Sequence, residues 1–348
     1  MRPLTVVLLV PTGVGAAIGG YAGDAIPVAR LLAGVADRLV THPNVLNGAL
    51  LSWPLPNALY VEGYALDRWC RGEWALRPVH RNRVGVLLDA ALSDSQRLQH
   101  LQAIEAARFT LGVDILGHCT SEGALGILVH PGSTGTAWGT IAHPDRLLRA
   151  AERLVAAGAD AIAIVSRCPE VDDSAYLGGR GVDPIGGVEA LVSHLVVRHL
   201  GRPAAHAPAF DYAAEPQPVH PRVAAEALGP TFLPCVLAGL STAPRYVRAD
   251  AAHPSDLLPT QVDAIVAPVG CSGGPGLLAL MAQTTPPVLL AVEENLCRLD
   301  VTPERLGLKA RRVRSYLEAC GWLVALKQGV ALAEGTVCAI KPDPHQDC

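Results

Sequence analysis

Short unbroken apolar runs constrain this chain more than any other feature of it. Residues 6–10, 84–88, 161–165, 264–267 and 288–292 are rich in Val, Ile, Leu and Ala and do not alternate with polar residues. A strand with one face in water alternates, whereas a strand covered on both faces, as in a parallel sheet between helices, reads as continuous hydrocarbon. The segments between the runs carry helix punctuation. Ser93 and Gln96 have capping-box spacing ahead of Leu98, Leu101 and Ile104, which share one helical face, and Gly112 closes that helix. Pro144 opens a second helix with Leu147, Leu148, Ala151, Leu154 and Val155 inward and Gly158 at its end. Asp183 and Pro184 start a third, whose inward face is Val188, Leu191, Val192, Leu195 and Val196.

The expected fold is therefore α/β: mostly parallel sheet or sheets with flanking helices, arranged as two related lobes around a central cleft. Residues 6–20 and 264–276 each read as strand followed by glycine turn, so each lobe is expected to give one such unit to the cleft. The glycine- and threonine-rich segment 133–143 marks the joint. It gives an N-terminal lobe over 1–140, a C-terminal lobe over 141–340 and a frayed tail over 341–348, with a single large domain as the alternative.

Composition excludes whole classes of function. In 348 residues, half are hydrophobic and 17% are charged, which rules out a disordered chain. With 28 Lys and Arg against 32 Asp and Glu, no basic surface is available to neutralise phosphates, so no nucleic-acid partner is expected. Nine scattered cysteines without a Cys-x-x-Cys pair read as neither a disulfide framework nor a zinc site, and point to a reducing cytoplasm. Residues 3–22 carry no charge and follow Arg2, as in a secretory signal, but Pro11 and the glycines from Gly13 to Gly20 favour a buried strand and turn. No membrane association is expected. Exposed apolar surface makes a homodimer an expectation.

Long stretches are similar to an uncharacterised family of unknown function familiar from cyanobacteria. They are residues 10–33 (VPTGVGAAIGGYAGDAIPVARLLA), 41–47 (THPNVLN), 55–68, 181–198, 205–208, 231–241, 291–295 and 313–329. The resemblance covers nearly the whole chain. It implies one architecture and brings no activity with it, so chemistry rests on the residues.

Ligands of an open parallel sheet bind beyond the carboxyl ends of its strands. The residues expected there are Thr12, Gly13 and Gly15; Arg167; His206; Cys271, Ser272 and Gly273; and Glu293, Glu294 and Asn295, with His42 and Asn47 from a polar segment nearby. The glycine turns and Arg167 suit an anion. Cys271, at a strand-to-helix turn, suits a thiolate, and it resembles one loop of cofactor-independent racemases that use a Cys in each of two lobes, although the matching turn here offers Thr12. His206 is the candidate base, and Glu293 or Glu294 a candidate acid. His194 and Arg198 read as solvated.

The expected function is an enzyme acting on a small anionic, carboxylate-bearing metabolite by proton transfer of isomerase, racemase or lyase type. It needs no cofactor and no metal. The alternatives are a Cys271-dependent hydrolase or acyl transferase, a nucleotide- or phosphate-dependent enzyme using Gly13 to Gly20, and a non-catalytic metabolite-binding protein.

Overall fold

In chain order the strands are β1 (Thr5–Leu8), β2 (Arg38–Thr41), β3 (Ala58–Tyr60), β4 (Trp74–Arg77), β5 (Val84–Leu88), β6 (Ile115–Thr120), β7 (Ile127–Pro131) and β8 (Ala137–Ile141). They continue with β9 (Ala161–Arg167), β10 (Ala204–Ala209), β11 (Arg245–Arg248), β12 (Ala264–Pro268), β13 (Val288–Val292) and β14 (Arg311–Val313). The structure, a computed structural model, describes residues 2–21, 23–47, 53–131, 136–210 and 231–331. The expected tail 341–348, the end of the expected C-terminal lobe and part of the expected joint lie outside the described residues.

The five apolar runs are strands, all in parallel sheets. One sheet has six strands in the order β14-β13-β12-β1-β2-β3, the other four in the order β10-β9-β5-β6. Their side chains divide between two cores. Val6, Leu8, Val266, Val86 and Leu88 join one, while Val7, Ile265, Leu87 and Ile164 join the other. Both faces of both sheets are thus covered, which is why the runs show no alternation. The strand pair β4 and β11 and the hairpin of β7 and β8 are antiparallel additions.

The similarity between residues 6–20 and 264–276 has a different meaning from the one expected. β1 and β12 are hydrogen-bonded neighbours in one sheet, Val6 opposite Ala264, so their glycine turns lie side by side and do not face each other across a cleft. A strand-and-turn pattern specifies local geometry and says nothing about which sheet the strand joins. The division at residue 140 likewise falls between β6 and β9 of one sheet and inside β8.

The helix signals hold at their ends and shift along their faces. Ser93 Oγ accepts from Gln96 N–H while Gln96 Oε1 accepts from Ser93 N–H, closing the capping box of the helix Asp94–Ala106. One wide turn, Ala107–Leu111, extends it to Gly112, whose φ of 67° ends it. Its buried face is Gln96, His100, Ala103 and Ile104, and Leu98 is exposed. The helix Pro144–Ala156 buries Leu147, Ala150, Ala151 and Leu154, with Leu148 and Val155 half-buried. Asp183 Oδ1 accepts from Ile185 N–H at 2.9 Å and so caps the helix Gly186–Leu200 from outside its first turn.

Candidate functional site

The carboxyl ends of β1, β2 and β3 in one sheet, and β10 in the other, converge on a cavity of about 130 Å³. That is close to the volume that holds one benzene-sized molecule, about 150 Å³. Thr12 enters after β1, His42 after β2, Glu62 after β3, and His206 and Pro208 from β10. The helix Gly186–Leu200 supplies Gly186, Glu189, Ala190, Ser193 and His194, and the turn before it supplies Asp183. Among the described residues lining the cavity, none is Lys or Arg.

His206 is the most fully held of these groups. Its Nε2 is 2.6 Å from Ser166 Oγ on the adjacent β9, and its Nδ1 is 3.2 Å from Glu189 Oε1. The ring is buried, Ser166 has no exposed surface, and Glu189 keeps about a quarter of its side chain open (26%). Burial pushes Glu189 up to about 8 and pulls His206 down to about 3. Burial thus favours the uncharged form of both groups, with one hydrogen shared between Glu189 Oε1 and His206 Nδ1 and another between His206 Nε2 and Ser166 Oγ. Ser166 also hydrogen-bonds Cys168, whose thiol is pushed up by burial and by the acids Glu189, Asp183 and Asp89.

A second histidine and carboxyl pair faces the same space. Glu62 Oε2 accepts from the N–H groups of Tyr64 and Ala65, capping the helix Gly63–Cys70, and its Oε1 lies 3.2 Å from His194 Nδ1, which also donates to Ala190 O. Burial raises Glu62 to about 7. Asp183 is raised to about 7, first by burial and then by the charge of Glu189. His42 accepts from Val10 N–H at Nε2, 3.1 Å away, which fixes its proton on Nδ1, and burial lowers it to about 4. Asn47 Oδ1 accepts from Tyr60 OH at 2.8 Å.

Of the residues expected at the site, Thr12, His42, Asn47 and His206 line the cavity and the others do not. Gly13 and Gly15, both at positive φ, form a turn clamped by residues 295–298: Ala17 N–H donates to Leu296 O, Ile18 N–H to Asn295 Oδ1, and Arg298 N–H to Val14 O. Asn295 Nδ2 donates to Ile18 O and Tyr316 OH, so this buried amide is a structural staple. Cys271 is buried with Sγ 3.0 Å from Cys297 Sγ. Ser272 is buried with Oγ donating to Val269 O, and Gly273 is exposed. Glu293 pairs with Arg312, and Glu294 accepts from Tyr316 N–H. Arg167 is exposed, with its N–H donating to Asp89 Oδ2. Both ring nitrogens of His206 are engaged, and neither by Cys271.

Glu62, Asp183, Glu189 and His194 were missed. His194 in particular is half-buried against Glu62, not solvated on an outer face. For Glu189 and His194 a signal was present as a stripe: positions 186, 189, 190, 193 and 194 recur at helical spacing and are all small or polar, which marks a helix face meeting something other than hydrocarbon. Among the described residues, no group of three or more His, Cys, Asp or Glu side chains is arranged to hold a metal ion.

Residues 5–334 match the model of a family described as proteins of unknown function, DUF3326, and the chain belongs to that family. An uncharacterized lipoprotein of Synechococcus sp. is 51% identical over 334 residues, which cover 94% of this chain and 92% of that protein. The cytoplasmic location expected from the cysteines is corrected by this relative, whose name as a lipoprotein is at odds with it. Scattered cysteines exclude a dense disulfide framework but leave the compartment open, because thiols shielded by burial persist in either setting. Among the described residues, no helix is long and apolar enough to cross a membrane.

Proposed function

We propose that this family member is an enzyme that moves protons on a small polar substrate, neutral or cationic, with Glu189 as the group that gives and takes the proton. The observation that carries this reading is Glu189 lining the cavity with a quarter of its side chain open, its Oε1 held by the buried His206, which Ser166 holds in turn from behind. A general acid or base works best when its pKa lies near the working pH, and a carboxyl reaches that range only through burial or like charges. Glu189 has burial, and Asp183 beside it is raised first by burial and then, once Glu189 ionises, by its charge. Glu62, also near neutrality, enters from the other sheet, so protons can be given and removed at two points of one bound molecule.

This keeps the reaction class expected from the sequence, isomerisation or elimination beside a carbonyl, and moves it from the Cys271 sulfur to carboxyl groups. It changes the substrate class. A carboxylate guest finds no Lys or Arg among the described lining residues, whereas a polyol or an amine finds His42 Nδ1–H, Asn44, Asn47 and Thr12 as neutral partners. The chain Ser166, His206, Glu189 has the connectivity of a nucleophilic triad, but a hydroxyl with no exposed surface cannot reach a substrate. In the turn proposed for nucleotides, the amides of Ala17, Ile18 and Gly19 are already bound within the chain, which leaves few donors for phosphate.

The test is solvent exchange. Wild-type protein is incubated in D2O with a metabolite extract, and small molecules are followed by mass spectrometry. At least one neutral or amine metabolite is expected to take up deuterium or convert to an isomer or elimination product, and Glu189→Gln is expected to slow this by about 100-fold or more. Absence of any such change with wild type, or an unchanged rate in the variant, overturns the reading.

A further inference from the structure

Away from the cavity, Cys271 and Cys297 are 26 residues apart in sequence, and their sulfurs lie 3.0 Å apart, about 1 Å beyond an S–S bond of about 2.05 Å. The contact is built by its surroundings. Gly270 has no side chain, and a Cβ there would come within 3.0 Å of Cys297 Sγ and 2.5 Å of Leu299 O. Two backbone bonds hold the partner segment in register, Ser272 N–H to Val301 O and Val301 N–H to Gly270 O, each at 2.9 Å. Cys271 is buried beneath this layer, while Cys297 is half-buried and reachable from solvent. We propose that Cys271 and Cys297 form a disulfide on reaction with a small-molecule disulfide, and that the bond locks the clamp on the glycine turn that carries Thr12.

The two thiols differ in the way an exchange reaction needs. Either sulfur can donate across the contact, and Cys297 Sγ also donates to Leu299 O at 3.3 Å; the contact raises Cys271 and lowers Cys297, the half-buried thiol, to about 7. The Cys297 thiolate attacks one sulfur of the reagent, its S–S bond breaks, and one thiolate leaves. Cys271 Sγ then attacks Cys297 Sγ in the mixed disulfide, and its proton passes to the departing thiolate. The reagent is reduced to two thiols and the two cysteines are oxidised to one disulfide. Cys297 lies between Leu296, whose carbonyl accepts from Ala17, and Arg298, whose N–H donates to Val14, so the new bond ties β12 to residues 14–18 through the clamp.

The experiment uses the whole chain and oxidised glutathione. After treatment, the protein is unfolded, free thiols are alkylated, and peptides are mapped without reduction. The expected product is one linked pair, the Cys271 peptide with the Cys297 peptide, two hydrogens lighter than their sum. It should come with a Tm rise of about 5–10 °C that a reducing agent reverses and that Cys297→Ser does not show. Alkylation of both cysteines, a persistent glutathione adduct on Cys297, or linkage of either to another cysteine overturns the proposal. The mapping reads wild-type protein, so a variant that folds poorly does not affect it.

Discussion

At the scale of single residues, the acids of the cavity set how stability depends on pH. Glu62, Asp183 and Glu189 hold their protons more tightly in the fold than in the unfolded chain, so their contribution is complete below about pH 4 and is lost as pH rises through 7 to 8. His42 and His206 act in the opposite sense: both are neutral in the fold, and their contribution is present above 6.5 and lost as pH falls toward 4 and 3. Between pH 6.5 and 8 the histidines have finished titrating and the acids have not. Tm is therefore expected to fall across that window, and Glu189→Gln, which cannot ionise, is expected to flatten the fall. Thermal melts of both proteins at half-unit steps check this, and parallel slopes would refute the buried-acid assignment of Glu189. His42 was legible from its polar neighbours and His206 from the short apolar segment around it, although His206 sits inside β10 and not beyond its end as expected. Asp183 and Glu189 were not, because they arrive in a turn and on the helix after it, well past β9, where a rule about strand ends does not look.

For whole elements, the five strands written as apolar runs were legible to within a residue or two, the shorter and more polar strands such as β3 and β14 were not, and the helix faces were legible only in part. A strand covered on both faces is written in its own composition, as Val84–Leu88 and Val288–Val292 show. Which side of a helix is buried depends on its neighbours. In the helix Asp94–Ala106 the spacing of Leu98, Leu101 and Ile104 suggested one face, yet the helix packs on the helix Leu233–Ser241 through a face centred on His100, Ala103 and Ile104. Leu98 is left 57% exposed. Ile104→Ala is accordingly expected to cost about 2–4 kcal/mol, because it leaves a hole in a close-packed core. Leu98→Ser should stay within about 0.5 kcal/mol of wild type, as surface changes do. Urea unfolding of the two variants measures the difference. Equal losses would mean that Leu98 is covered in solution, which is the outcome a homodimer through this face would give.

Across the whole molecule, the chain weaves between its two sheets in a way no local pattern records. The six-stranded sheet takes β1, β2 and β3 from the start of the chain and β12, β13 and β14 from near its end, while the segment between them builds the four-stranded sheet. A break after residue 140 strips β1 of β12, strips β5 of β9, and cuts β8 in two. One core cluster, moreover, contains side chains of both sheets, Val6 with Val86 and Val266 with Val165. Net stabilities of domains are only about 5–15 kcal/mol, so losing half of each sheet's strands, with the core partners they carry, exceeds what either half can tolerate. Fragments 1–140 and 141–340 produced separately are thus expected to show no cooperative thermal transition and little amide protection in β1, β5 or β12. The intact chain should protect all three to the same degree, since they then open only with global unfolding. Hydrogen exchange read by mass spectrometry separates the cases. A sharp melt and native-like protection in fragment 1–140 would show that the N-terminal strands carry a core of their own, and the cavity would then lie between two independently folding units.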